Sequence, residues 1–162
     1  MERSVLSGLL SQSLSEFPSE YEVVLSRGEP NGSSDPVRNG NLTVYDWVED
    51  QYDLLKASSV VISRAGHGTI MKAIMLGKPM ILIPIPDHTE QYGNARRASQ
   101  LGSAEVIPQR DVTTERLLEA TKRLLGSPLP GLERLTSNTP LTEGIPIAAH
   151  EITSLATNKM AI

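Results

Sequence analysis

The stretch from Ser59 to Gly77, SVVISRAGHGTIMKAIMLG, allows few folds. Val60, Val61 and Ile62 form a β-branched run without polar alternation, the pattern of a strand buried on both faces of a parallel sheet. Ser63 to Thr69 follow with two glycines, and an apolar helical segment (Ile70, Met71, Ala73, Ile74, Met75, Leu76) then runs to a stop at Gly77. A strand feeding a glycine turn that opens a helix leaves unpaired amides at the positive end of the helix dipole. Gly66 and Gly68 lack the Cβ atoms that would hold an anion off, and Thr69 adds a hydroxyl donor, so the turn suits a phosphate. Many α/β proteins carry such a turn and bind nothing there. The spacing matches neither the dinucleotide fingerprint nor a Walker loop.

Composition narrows the field. A length of 162 residues fits one domain, or one large half of a two-domain protein. No apolar run approaches the roughly 20 residues of a membrane span, and MERSVLSGLL lacks the apolar core and cleavage site of a signal peptide. The absence of cysteine excludes disulfides, thiol catalysis and thiolate metal sites, and fits a cytoplasmic setting. A net charge of −4 gives no reason to expect nucleic acid, and one Trp, one Phe and four Tyr are too few for a base-stacking platform. Phosphate binding must then be local.

Ser4 to Leu14 reads as an amphipathic helix, Tyr21 to Ser26 as a strand, and Arg27 to Asn41 as a loop rich in turn residues. Leu42 to Tyr45 reads as a strand, and Asp46 to Asp50 leads into a short helix, Gln51 to Ala57. Met80 to Ile85 is a buried strand closed by Pro84 and Pro86. Asp87 to Leu101 is helical, with Gly102 as its stop, and Glu105 to Pro108 is a last strand. Thr113 caps a helix to Leu125. Residues 1–126 make one α/β unit. Residues 127–162 read as a proline-bearing segment without period, then a helix over Ile145 to Ala156 that packs on the same domain, with Pro146 in its first turn. Alternating strands and helices imply a doubly wound, mostly parallel sheet, with ligands outside the carboxyl ends of the strands.

Four pieces stand in order along that rim: DWVED before a helix, SRAGHGT before an apolar helix, LGKPMILIPIP, and EQYGNA. In this the sequence resembles the donor-binding, C-terminal half of GT-B glycosyltransferases, specifically the family 28 (MurG-like) domain, from about Tyr21 to Leu125. The resemblance implies a Rossmann-like fold and a nucleotide-sugar donor. It places Trp47 and the backbone of Val48 at the base. Arg64, Gly66, His67, Gly68 and Thr69 fall at the diphosphate, with Arg27 and Gly28 approaching it, and Glu90 and Gln91 fall at the sugar. Each has a plain alternative: Trp47 as a core aromatic, His67 as a solvent-facing turn residue, Arg64 paired with a local carboxylate. Glu90, Gln91 and Asn94 could equally be polar residues that suit a helix start. His88 and His150 read as structural.

Two features depart from the family pattern. Lys72 stands where a glutamate commonly accepts from the ribose, and a lysine cannot accept a hydrogen bond. The family's first strand and glycine-rich loop also have no counterpart, so the chain is expected to be a fragment or to have a truncated start. A gap should then separate the strand at Tyr21–Ser26 from the one at Val60–Ile62, with edges that close up, pair with another chain or stay loose.

The resemblance implies transfer of a hexosamine, by default N-acetylglucosamine, from a UDP-sugar. No cofactor or metal is expected, no catalytic residue is assigned, and the chain alone is expected to be incomplete or inactive. An acceptor-binding domain or subunit is the expected partner, with a membrane reached only through it and a homo-oligomer through the open sheet edge as a further expectation. The rival readings are a UDP-sugar 2-epimerase-like isomerase fragment and a non-catalytic nucleotide-sugar-binding module.

Overall fold

In the computed structural model, which describes residues 2–33, 35–127, 129–138 and 144–159, the elements follow in this order. Helix α1 (Glu2–Ser15) leads to strands β1 (Val23–Ser26), β2 (Val37–Asn39) and β3 (Leu42–Tyr45). Helix α2 (Gln51–Ala57), strand β4 (Val61–Ser63), helix α3 (His67–Met75), strand β5 (Met80–Leu82), helix α4 (Thr89–Gln100) and strand β6 (Ala104–Val106) come next. A 3₁₀ turn (Gln109–Asp111) precedes α5 (Thr114–Gly126), α6 (Pro130–Asn138) and α7 (Gly144–Lys159).

Strand β5 explains the layering. Met80, Ile81, Leu82 and Ile83 are all wholly buried, because β5 lies between β4 and β6 and both its faces are covered. Successive side chains alternate between faces. Ile81 and Ile83 therefore join a cluster with Leu6, Leu10 and Leu14 of α1 and Leu117, Ala120 and Leu124 of α5. Met80 and Leu82 join Ile70, Ala73 and Ile74 of α3, Ala95 and Ala98 of α4, and Leu132 of α6. Helices thus cover both faces of a parallel ladder, as the alternating pattern predicts.

The sheet is in two pieces. Strand β1 pairs in parallel with β3, and β2 pairs antiparallel on the far side of β3, giving the order β1-β3-β2; the other piece is β4-β5-β6. No ladder among the described residues joins β1 to β4, which accords with the gap the sequence predicts between them. Leu25, Leu42 and Val44 of the first piece share one core cluster with Ile81 and Ile83 of the second, so side-chain packing spans the break. Asn41 holds the connection between α1 and β1: its Nδ2 donates to the carbonyls of Phe17, Pro18 and Tyr21, the last at 2.7 Å.

Three elements differ from expectation. Within the loop Arg27–Asn41 the backbone forms β2, whose three residues are all exposed. The stretch after residue 126, which shows no period, contains α6, which buries Leu132 against α3 and α4. The expected packing of the last helix is not seen in its described side chains: residues 146–153 of α7 are exposed, including Ile147 and Ile152. Residues 139–143 and 160–162 of that segment lie outside the described residues.

Candidate functional site: the turn between β4 and α3

The turn Arg64–Gly66 is held from behind. The Ser63 carbonyl accepts from the Ile83 amide at 2.9 Å, continuing the β4–β5 ladder by one bond. Arg64 Nη1 donates to the carbonyls of Ile83 (3.2 Å) and Pro84 (3.3 Å), which fastens the turn to the chain leaving β5. Ala65 is fully buried, and its carbonyl accepts from Asn94 Nδ2 at 3.1 Å. The backbone of the turn is therefore fixed by two neighbouring elements before anything binds in front of it.

In front, among the described residues, nothing closes on the turn's glycines. Gly66 is the N-cap of α3 in extended geometry (φ −74°, ψ 132°), and no side chain caps the helix. The first intrahelical bond runs from the Ile70 amide to the Gly66 carbonyl at 3.2 Å, which leaves the preceding amides as the unpaired donors of a helix start. The first turn of α3 holds no acidic residue, so its dipole is not offset locally. A Cβ built on Gly66 or Gly68 meets no described atom within 4 Å, and neither glycine has a positive φ. Neither internal packing nor backbone conformation requires glycine at these two places. Their effect is to keep open the space in front of the amides. His67 and Gly68 are exposed and Thr69 is half-buried.

The start of α4 lies beside this turn. His88 is its N-cap: Nδ1 accepts from the Gln91 amide at 3.4 Å. The Gln91 side chain folds back, its Oε1 accepting from the Ile85 amide at 3.0 Å. Asp87 reaches the left-handed region (φ 59°) to make the corner. Glu90 is exposed, and its Oε1 lies 3.5 Å from Asn94 Nδ2. Asn94 thus joins α4 to the glycine turn. A long-range bond of this kind leaves no mark in the spacing of residues.

The remaining predicted residues gather at the ends of β1 and β3. Arg27 Nη1 lies 3.0 Å from Asp46 Oδ1, and Asp46 Oδ2 accepts from the Ser33 amide at 2.9 Å. Gly28 turns with φ +73°, and residues 27–32 line a shallow cavity of about 380 Å³. Trp47 is 39% exposed, so it is not a core aromatic, and Val48 beside it is half-buried. Asp50 then caps α2, accepting from the amides of Tyr52 and Asp53 at 3.0 and 3.1 Å. The structure brings Arg27 to Asp46, and the glycine turn to the start of α4.

A larger cavity, about 620 Å³, lies at the opposite end of β5 and includes Gly77, Pro79, Leu124, Leu129 and Thr136 in its lining. Its lining also includes Ser59, Ser127, Ser137 and Glu133, and the Thr136 hydroxyl donates to the Leu132 carbonyl at 2.8 Å. The turn, unlike this cavity, combines an uncapped helix start with two glycines around which no described atom lies within 4 Å of a built Cβ.

The glycosyltransferase family 28 C-terminal domain matches residues 4–150, nearly the whole chain. The chain belongs to this family. Among similar proteins, an uncharacterized glycosyltransferase of Methanopyrus kandleri is 29% identical over 127 residues, covering 78% of this chain and 34% of that protein. The UDP-N-acetylglucosamine–N-acetylmuramyl-(pentapeptide) pyrophosphoryl-undecaprenol N-acetylglucosamine transferase of Geobacillus thermodenitrificans is 34% identical over 123 residues, covering 74% of this chain and 35% of that one. This family 28 domain therefore spans about a third of the length of those two relatives. Among solved structures, the glycotransferase of kitacinnamycin superposes with a TM-score of 0.77 at 25% identity, over 93% of this chain and 39% of that one. MurG of Acinetobacter baumannii superposes with a TM-score of 0.61 at 18% identity, over 84% and 42%, a likeness of fold. The fold is the Rossmann-like C-terminal half of GT-B glycosyltransferases. Among the described residues no helix is long and apolar enough to cross a membrane.

Proposed function

We propose that this family 28 domain is the donor-binding half of a glycosyltransferase that moves a hexosamine, N-acetylglucosamine by preference, from a UDP-sugar to an acceptor held by a separate domain or subunit. The observation that carries the proposal is the uncapped start of α3, with two glycines that neither packing nor conformation demands. A pyrophosphate in front of Gly66 and Gly68 would meet amides fixed in advance by Arg64 and Asn94, and would add no side-chain reorganisation. The same amides, with His67 and the Thr69 hydroxyl, would stabilise the negative charge that grows on the leaving diphosphate as the glycosidic bond breaks. No metal is required in this scheme. Trp47 offers an exposed indole face for the base, and Glu90 and Gln91 stand at the start of α4 for the sugar hydroxyls. The base that takes the acceptor's proton would come from the acceptor-holding half. A cytoplasmic setting accords with the lack of cysteine.

One observation favours a second reading, a nucleotide-sugar-binding module without chemistry: the sheet beside the site is in two pieces. Titration calorimetry with UDP, UDP-N-acetylglucosamine and NAD tests the binding that both readings share. Binding of the two uridine nucleotides and not of NAD is the expected result, and heat from none of them would refute the donor site. Sugar transfer after addition of an acceptor-binding partner separates an enzyme half from a binding module.

A further inference from the structure

We propose that Asn94 is a positioning residue that couples the sugar end of the donor site to its phosphate end; this rests on the donor-binding reading above. The Asn94 amide nitrogen carries two hydrogens. It lies 3.1 Å from the Ala65 carbonyl and 3.5 Å from Glu90 Oε1, so one hydrogen is directed to each oxygen. The Ala65 carbonyl and the Gly66 N–H belong to the same planar peptide group. A hydrogen bond accepted at that carbonyl fixes the plane, and so the direction of the Gly66 N–H. It also polarises the amide, which makes the N–H a stronger donor to an anion.

The carbonyl belongs to a wholly buried residue, so loss of Asn94 would leave it without this partner in a place water does not readily reach. Glu90 works on the other hydrogen. A ligand hydroxyl that donates to the Glu90 carboxylate draws charge from it and leaves the Asn94 amide freer to serve Ala65. Sugar bound at Glu90 and phosphate bound at Gly66 would then each favour the other, through one side chain.

The test uses the full chain with Asn94→Ala, Asn94→Asp and Asn94→Gln. Asn94→Asp keeps the size but sets an oxygen against the Ala65 carbonyl in place of a donor. Two readouts are followed: the backbone amide shift of Gly66 without ligand, and calorimetric affinities for UDP and UDP-N-acetylglucosamine. The expected result is an upfield move of the Gly66 amide proton in the Ala and Asp variants, with partial recovery in Gln. Affinity for UDP-N-acetylglucosamine should fall about tenfold in the Asp variant, and the ratio of the two affinities should shrink toward one. An unmoved Gly66 resonance, or a wild-type affinity ratio in Asn94→Asp, overturns the positioning role alone. Wild-type protein that binds neither nucleotide overturns the donor reading, and the coupling with it. A lowered melting temperature with an unchanged ratio marks Asn94 as merely structural and also overturns the proposal.

Discussion

Arg27 is held by Asp46: its Nη1 lies 3.0 Å from Asp46 Oδ1, across the ends of two parallel strands. The other carboxylate oxygen holds the Ser33 amide, so one side chain fixes both the cation and the loop that follows it. A guanidinium already paired can still turn its remaining donors to a phosphate, but it brings less charge than a free one. Arg27→Ala is therefore expected to weaken UDP binding only about threefold. The stability loss should be at most about 1 kcal/mol, since the pair is partly exposed. Calorimetry and thermal melting check both.

The same carboxylate makes Gly32 irreplaceable. A Cβ at Gly32 would collide with Asp46 Cβ and reach within 2.7 Å of its Oδ2. Gly32→Ala should cost about 1–3 kcal/mol, as overpacking does. The Ser33 amide should lose its protection from hydrogen exchange in the same variant.

Gly66 and Gly68 should behave in the opposite way. Gly68 lies inside α3 with open space around it and no positive φ. Gly68→Ala should then leave stability unchanged or raise it by about 0.5–1 kcal/mol, because alanine loses less backbone entropy in a helix. UDP affinity should fall at least about tenfold as the methyl group enters the anion's space. A melting curve and one titration on the same sample suffice, and a destabilised variant would show the turn to be structural.

Lys72 is exposed one turn beyond Gly68 on the same side of α3. Its ammonium can donate to a ribose oxygen or a phosphate but cannot accept from a hydroxyl. UDP and 2′-deoxy-UDP should accordingly bind within about threefold of each other. Lys72→Glu should widen that gap toward tenfold by supplying an acceptor. Competition titration of the two nucleotides measures the ratio directly.

The start of α5 gives a prediction in pH. Thr113 Oγ1 accepts from the Arg116 amide at 3.2 Å, an N-cap whose removal costs about 1 kcal/mol. The Glu115 carboxyl is held below its ordinary pKa by a backbone hydrogen bond first and by the Thr113 side chain second. A carboxyl whose folded pKa is depressed contributes stability above its unfolded pKa and loses it as pH falls through the folded value. Thr113→Ala should thus destabilise most above the usual glutamate range, with the difference from wild type narrowing in acid. Melting temperatures from about pH 3 to pH 7 would trace it.

Much of this architecture is legible in the sequence because burial leaves periodic traces. Leu42–Tyr45 and Gln51–Ala57 stand where the pattern puts them, and Thr113 caps α5 as predicted. Gly77 and Gly102 take positive φ at helix ends, which is why glycine marks them. Strand β2 leaves no trace, since Val37 is 64% exposed and its neighbours are polar; backbone pairing with β3, not burial, makes it a strand. Helix α6 is obscured because Pro130 reads as a breaker, although at a first helical turn it is tolerated. In the site, the glycines and the helix start are legible. The carbonyls that receive Arg64 and the bond from Asn94 to Ala65 are not, because they join residues 19, 20 and 29 positions apart with no spacing rule to announce them.

The broken sheet carries a mechanical consequence. Among the described residues, the two backbone ladders are joined by oil rather than by rungs: Leu25, Leu42 and Val44 share one apolar cluster with Ile81 and Ile83, a cluster that also takes in Leu6, Leu10 and Leu14 of α1. Under tension across the strands, that greasy seam would part before either ladder unzips.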